Sequence, residues 1–366
     1  MKEKLFAFVR AGLWNTNVPL SLCPTTETEW NQLLHESYKQ TVQGIVYDAV
    51  SRLNNVSFPS SFLQKWAEIT RSLETKYHQH FMIINYLSAR LGAVGGLEPV
   101  VVKGLALAAY YPQPNHRVSG DIDLYFGGVE QAEKANKAVE QWGTPIQRGG
   151  DDEAVYLLNN TVVEHHGRLI TSHNLFLKKT ATRQLAQQIA DGSAFQYIKV
   201  NNVPVKVLAP LQCHLLLMTH SLKHLLNEGI GLRQLCDVAM FLKAEHDQLD
   251  GEVLQKNLKD WGIYHWANLV YALCVKYLGL SKSFLPYAFD LSAYNPDKLL
   301  EEVWQTGNFG QMDERMANRS QGGDSVFTAK RMLHNSIAFM KYAPGDAIGY
   351  PIRLTYLKIK DMLHLK

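Results

Sequence analysis

Val101-Val102-Lys103-Gly104, followed after a short helical pattern by Arg117-Val118-Ser119-Gly120-Asp121-Ile122-Asp123-Leu124, reads as a strand, a glycine turn, a helix, a loop and a second strand. Side chains on a strand alternate between its faces. Asp121 and Asp123 therefore share one face, while Ile122 and Leu124 point into a core. Two carboxylates on one face repel unless a cation lies between them, and a hard divalent ion such as Mg2+ is the natural occupant. Asp-x-Asp pairs are also common on solvated strand edges. Here the apolar strand and the basic, glycine-containing turn upstream argue for a metal site, the beginning of a phosphoryl- or nucleotidyl-transfer centre.

Working outward, Thr161-Val162-Val163-Glu164-His165-His166-Gly167-Arg168-Leu169 reads as another strand. Alternation puts Glu164 and His166 on one face, Val163 and His165 on the other. If this strand lies beside the Asp strand, Glu164 completes a cluster of three carboxylates. The rival acids, Asp151-Asp152-Glu153 beside Gly149-Gly150, read as a solvated turn. Gly104 lets the backbone approach a phosphate, and Lys103 can act on it as a point charge. Arg117 is weighed evenly between a surface ion pair and a clamp on a triphosphate, which its planar guanidinium can grip in bidentate fashion. His220 and His224 lie four apart and share a helix face. No Glu follows His220 as in a His-Glu-x-x-His zinc site, so these imidazoles are expected to face a nucleotide cleft or cap core hydrogen bonds.

Lys103-Gly104, the Leu-rich segment with Tyr110-Tyr111-Pro112, Arg117 and Asp121-Ile122-Asp123-Leu124 resemble the nucleotidyltransferase superfamily. More narrowly, they resemble its uncharacterised family with the pattern Lys-Gly…Arg…Asp-Ile-Asp-Leu. Glu164-His165-His166 is similar to that family's Glu-x-His strand. His220…His224…Gly231-Leu232-Arg233-Gln234-Leu235-Cys236-Asp237 is similar to its helical segment. The resemblance spans about residues 98 to 242. It implies an α+β fold, a mixed β-sheet with flanking helices, and transfer of a nucleoside monophosphate from a triphosphate, with ATP expected, to a hydroxyl acceptor. It also implies Mg2+ (or Mn2+) held by Asp121, Asp123 and Glu164. Lys103, Gly104, Arg117, His166, His220 and His224 are expected on the nucleotide, in a cleft between the sheet and the C-terminal helices. One departure stands out. The wider superfamily places Gly-Ser or Gly-Gly on the turn, and this chain has Gly104-Leu105. That motivates two alternatives: a nucleotide-binding regulator without turnover, and a helical interaction protein with a vestigial site.

The 366 residues suffice for more than one domain, and 46% hydrophobic with 19% charged residues is an ordinary globular composition. A net charge of +3 gives no field that argues for nucleic acid. Four scattered cysteines read as reduced thiols, no apolar run reaches the ~20 residues of a membrane span, and a cytoplasmic protein is expected. Helical patterns place an N-terminal helical region at 1–96, the catalytic domain at 97–208 and a C-terminal helical domain at 209–366. Gly307 to Asp324 reads as a mobile loop.

Overall fold

Two asparagine pairs set the register of four strands. Asn159 and Asn160 have φ of 49° and 59°, and Asn201 and Asn202 have 48° and 64°. Positive φ at both central residues defines the two-residue turn whose twist matches antiparallel strands, and asparagine tolerates it. In the computed structural model, which describes residues 1–54, 56–310 and 324–362, these turns close two hairpins. The first joins β4 (Glu153–Leu158) to β5 (Thr161–His166). The second joins β6 (Phe195–Val200) to β7 (Val203–Leu208). The remaining strands are β1 (Val100–Val101), β2 (Ile122–Tyr125) and β3 (Gln147–Arg148). The strand expected over Thr161–Leu169 is thus shorter than its apolar pattern, β1 covers only the start of the Val101-Val102 stretch, and β3 carries no alternating signal.

Among the described residues the sheet has seven strands in the order β3-β4-β5-β2-β1-β7-β6. It is mixed: β2 runs parallel to β5 and β1 parallel to β7, while the other neighbours are antiparallel. The α+β class expected from the sequence is the one observed. One face of the sheet buries Val101, Ile122, Leu124, Val163, Val205 and Val207 in a core with Ile84, Leu87, Ala135 and Val139. The helix Val129–Gln141 presents Ala132, Ala135, Ala138 and Val139 at three- and four-residue spacing, and the small side chains let it lie close to the strands.

The chain divides into two compact units, residues 1–169 with 187–213, and residues 170–186 with 214–366. The first holds the whole sheet and the helices Lys2–Trp14, Glu27–Lys39, Gln43–Val50 and Ser60–Ala93. Thr26 caps the second of these by accepting from the Glu29 N–H at 3.2 Å.

The second unit is helical among the described residues, with Leu232–Glu245, Gly251–Asp260, Tyr264–Leu278, Asp297–Thr306, Asp324–Phe339 and Pro344–Met362. Its interior is pinned by Trp266 Nε1 donating to the Met218 carbonyl (2.9 Å) and Asn335 Nδ2 donating to that of Leu225 (2.8 Å). No described helix is long and apolar enough to cross a membrane. All four cysteines are buried free thiols. Of the stretch expected as a mobile loop, residues 311–323 lie outside the described residues.

Candidate active site

Parallel pairing of β2 with β5 sets Asp123 opposite Glu164 and Tyr125 opposite His166. Paired residues on neighbouring strands share a face, so Asp123, Glu164 and His166 converge on the side away from the core. Their ligand atoms all lie within 4.8 Å of one another. The opposite face explains why β5 sits this way round. His165 is fully buried: Tyr156 Oη donates to its Nε2 (2.9 Å), and its Nδ1 donates to Asn136 Oδ1 (2.8 Å). Both ring nitrogens are satisfied in a neutral imidazole, which burial holds down to about 3. The two adjacent histidines therefore have separate tasks, as alternation required.

Asp123 is 2% exposed. Lys103 Nζ lies 2.6 Å from its Oδ1, and His166 Nε2 lies 2.9 Å from the same oxygen. Burial alone would raise the Asp123 carboxyl, but the Lys103 ammonium and His166 outweigh it and hold the group well below the usual carboxylate range. Burial opposes protonation of His166, yet its bonds to Asp123 and Glu153 raise it to about 9. Lys103 is likewise kept charged against burial by Asp123. Glu164 behaves in the opposite way. Burial, then the Asp123 and Asp121 charges, push it up to about 7. Asp121 stands just before β2 and adds its charge to both Lys103 and Glu164.

The turn after β1 fits the expected glycine. Gly104 has φ of +50°, and a Cβ there would sit 3.2 Å from Ser119 Oγ and 3.4 Å from the Asp121 carbonyl. Ser119 Oγ is buried and has no hydrogen-bond partner among the described residues. The helix that follows is a single turn, Leu105–Ala108. Arg117 is buried, and its Nη1 donates to the Val118 carbonyl at 3.2 Å.

The first unit thus brings Lys103, Asp123, Glu164 and His166 into one cluster, with Asp121 and Gly104 at its margin. His220 and His224 belong to the second unit. There their Nε2 atoms lie 3.0 Å apart, and His224 Nδ1 lies 3.3 Å from Glu228. The sequence reading missed Glu153, which sits 3.5 Å from His166 Nδ1 on β4. In the sequence it belongs to the acid run that reads as a solvated turn. Asp151 and Asp152 do form the turn, with φ of 58° and 61°, and Asp152 pairs with Arg168 at 2.7 Å. Counting back along the hairpin from Leu158↔Thr161 places Glu153 opposite His166, so the signal was present. Ser119 carried no signal.

The model of an uncharacterised nucleotidyltransferase family matches residues 26–279. The chain belongs to this family. Its structure is also similar to the crystal structure of an antigenic nucleotidyltransferase-like protein from Paracoccidioides brasiliensis. The two are 14% identical, the match covers 57% of this chain and 93% of that one, and the TM-score is 0.32. No curated protein matches the sequence. The family match takes in the Lys-Gly turn, Arg117, the Asp pair and the Glu-x-His strand, and extends through His220 and His224.

The residues of the cluster suit a hard cation. Asp123 and Glu164 offer carboxylate oxygens, the donor type that Mg2+ and Mn2+ take, with the Asp121 charge at the margin. The acidic excess is balanced within the chain by Lys103 and His166, whose positive groups rest on Asp123.

Proposed function

We propose that this chain is a metal-dependent nucleotidyltransferase that moves a nucleoside monophosphate from a triphosphate, ATP in the first instance, to a hydroxyl acceptor. The observation that carries the reading is the opposition of Asp123 and Glu164 on parallel strands, with Lys103 and His166 on the same carboxylate. Asp121, Asp123 and Glu164 would hold Mg2+ or Mn2+, which supplies charge for the departing pyrophosphate and activates the acceptor hydroxyl. His166 fixes the orientation of Asp123 through its hydrogen bond, and Glu153 holds the other ring nitrogen. Lys103 keeps Asp123 ionised and offers a point charge to a phosphate. Gly104 leaves room for phosphate against the backbone, and Arg117 serves the triphosphate as a bidentate donor. For His220 and His224 a nucleotide role rests on the resemblance, and their alanine variants test it.

The test is a calorimetric panel of the four nucleoside triphosphates with Mg2+, Mn2+ or EDTA, joined to an assay of pyrophosphate release. Metal-dependent binding and release, both lost in Asp121→Asn and Asp123→Asn, are expected. Unchanged binding and turnover in both variants would end the assignment. The 2.6 Å Lys103–Asp123 ion pair, together with Gly104-Leu105 on the turn, favours a second reading, binding without turnover. Binding of ATP with no pyrophosphate released on any acceptor tried would select it.

A further inference from the structure

His116 precedes Arg117 and is gripped from both sides by the N-terminal helices. Its Nδ1 lies 2.5 Å from Asp48 Oδ1, on the helix Gln43–Val50, and its Nε2 lies 3.1 Å from Glu74 Oε1, on the helix Ser60–Ala93. Each ring nitrogen faces a carboxylate oxygen, so the imidazolium form can donate on both sides. Burial opposes that charge, but Asp48 and Glu74 raise the group above its ordinary value. The neighbouring Asn115 Nδ2 donates to the same Glu74 oxygen at 3.3 Å. The backbone is held as well. A Cβ on Gly44 would lie 2.0 Å from the His116 carbonyl oxygen, so the helix meets this loop backbone to backbone. Tyr47 sets its ring edge-on to the imidazole, with centroids 6.1 Å apart. Asp48 is itself buried, and an unpaired carboxylate there would be costly. None of these groups belongs to the Asp123 cluster.

We propose that Asp48, His116 and Glu74, with Gly44 beneath them, form a positioning clamp that fixes the backbone of Arg117 for the triphosphate. The N-terminal helices then act on the reaction through this loop, besides burying apolar surface. His116 ends the short helix Pro114–His116, and Arg117 follows it in extended conformation, with φ of −71° and ψ of 122°. Two side-chain bonds and one steric stop on the preceding residue leave the Arg117 backbone little freedom. A guanidinium that must meet phosphate oxygens in a bidentate way gains most from such a fixed base, because displacement by about 1 Å costs a large factor in productive geometry.

The proposal rests on the assignment of Arg117 to the triphosphate, and the experiment separates the two. Dissociation constants for ATP and for adenosine, each with Mg2+, are measured on wild type, Arg117→Ala, His116→Gln, Glu74→Gln, Gly44→Ala and the double variant His116→Gln/Arg117→Ala. Circular dichroism confirms folding. Should Gly44→Ala fail to fold, the His116 and Glu74 variants carry the test. The clamp variants should weaken ATP roughly tenfold while leaving adenosine within about twofold. The double variant should bind ATP no worse than Arg117→Ala, since the clamp acts through that residue. Loss of ATP binding in Arg117→Ala with none in the folded clamp variants would overturn the clamp and leave the triphosphate role of Arg117 standing. Equal weakening of ATP and adenosine would reduce the clamp to a structural device. Unchanged ATP binding in Arg117→Ala would remove both. A wild type that binds no triphosphate would withdraw the functional reading itself.

Discussion

Asp121 and Asp123 lie two residues apart with the same side chain, yet substitution should separate them. Their spacing alone suggests that an amide at either position relieves like-charge repulsion in the metal-free protein. The structure reverses the sign at one of them. Asp123 holds the Lys103 ammonium and the His166 ring, so Asp123→Asn strands two positive groups in a buried place. It should destabilise the metal-free protein by about 3 kcal/mol. Asp121→Asn removes a charge that weighs on Glu164 and should leave stability within about 0.5 kcal/mol of wild type. Urea denaturation in EDTA measures both, and equal effects would contradict the charge balance drawn for the site. Glu164 adds a pH signature. Its metal-free value of about 7 lies above its ordinary 4.5. Its contribution to stability is therefore fully present below pH 4.5 and is lost as pH rises through 7. Relative to Glu164→Gln, the metal-free wild type should lose on the order of 3 kcal/mol across that window, most of it by pH 7. Binding of Mg2+ near neutral pH should then release protons from wild type and fewer from Glu164→Gln. Calorimetry in buffers of different ionisation enthalpy reads this, and identical release from both would place the proton elsewhere.

Strands and turns were legible where the signal is local. The Asn159-Asn160 and Asn201-Asn202 turns, the alternation of β5 and the three- and four-residue spacing of Val129–Gln141 depend on neighbours in sequence, and each element formed as its pattern required. The strand between Gln147 and Arg148 was not legible, because two exposed polar residues carry no alternation and pair only through β4. The pairing of β2 with β5 was a hypothesis in the sequence, since nothing local says which strands become neighbours. The grip of Asp48 and Glu74 on His116 spans 68 and 42 residues and left no trace in composition. The first hairpin offers a test at this scale. Asn160 has φ of 59°, a value glycine adopts freely and β-branched residues resist. Asn160→Gly should raise stability by a few tenths of a kcal/mol, and Asn160→Val should lower it by about 1–2 kcal/mol. Thermal melts read the difference. If valine is tolerated as well as glycine, the turn does not set the register that brings Glu153 to His166.

At the scale of the whole molecule, the site is built within one compact unit, residues 1–169 with 187–213. Every member of the Asp123 cluster, and the Arg117 loop with its clamp, comes from that part of the chain. Ligand binding should therefore act first on the stability of this unit. A ligand that binds only the native state stabilises it by about 2.7 kcal/mol at a concentration 100 times its dissociation constant. For a unit of this size each kcal/mol moves the melting temperature by about 2–4 °C. ATP with Mg2+ should raise a calorimetric transition by several degrees. Hydrogen exchange should place the added protection in β2, β5 and the segment from Lys103 to Arg117. Asp123→Asn should abolish the shift. ATP in EDTA should give little of it, because three carboxylates facing a triphosphate without an intervening cation repel it. An equal shift in EDTA would mean that Lys103, His166 and Arg117 alone carry the phosphates. The carboxylates would then be ligands of those cations and not of a metal.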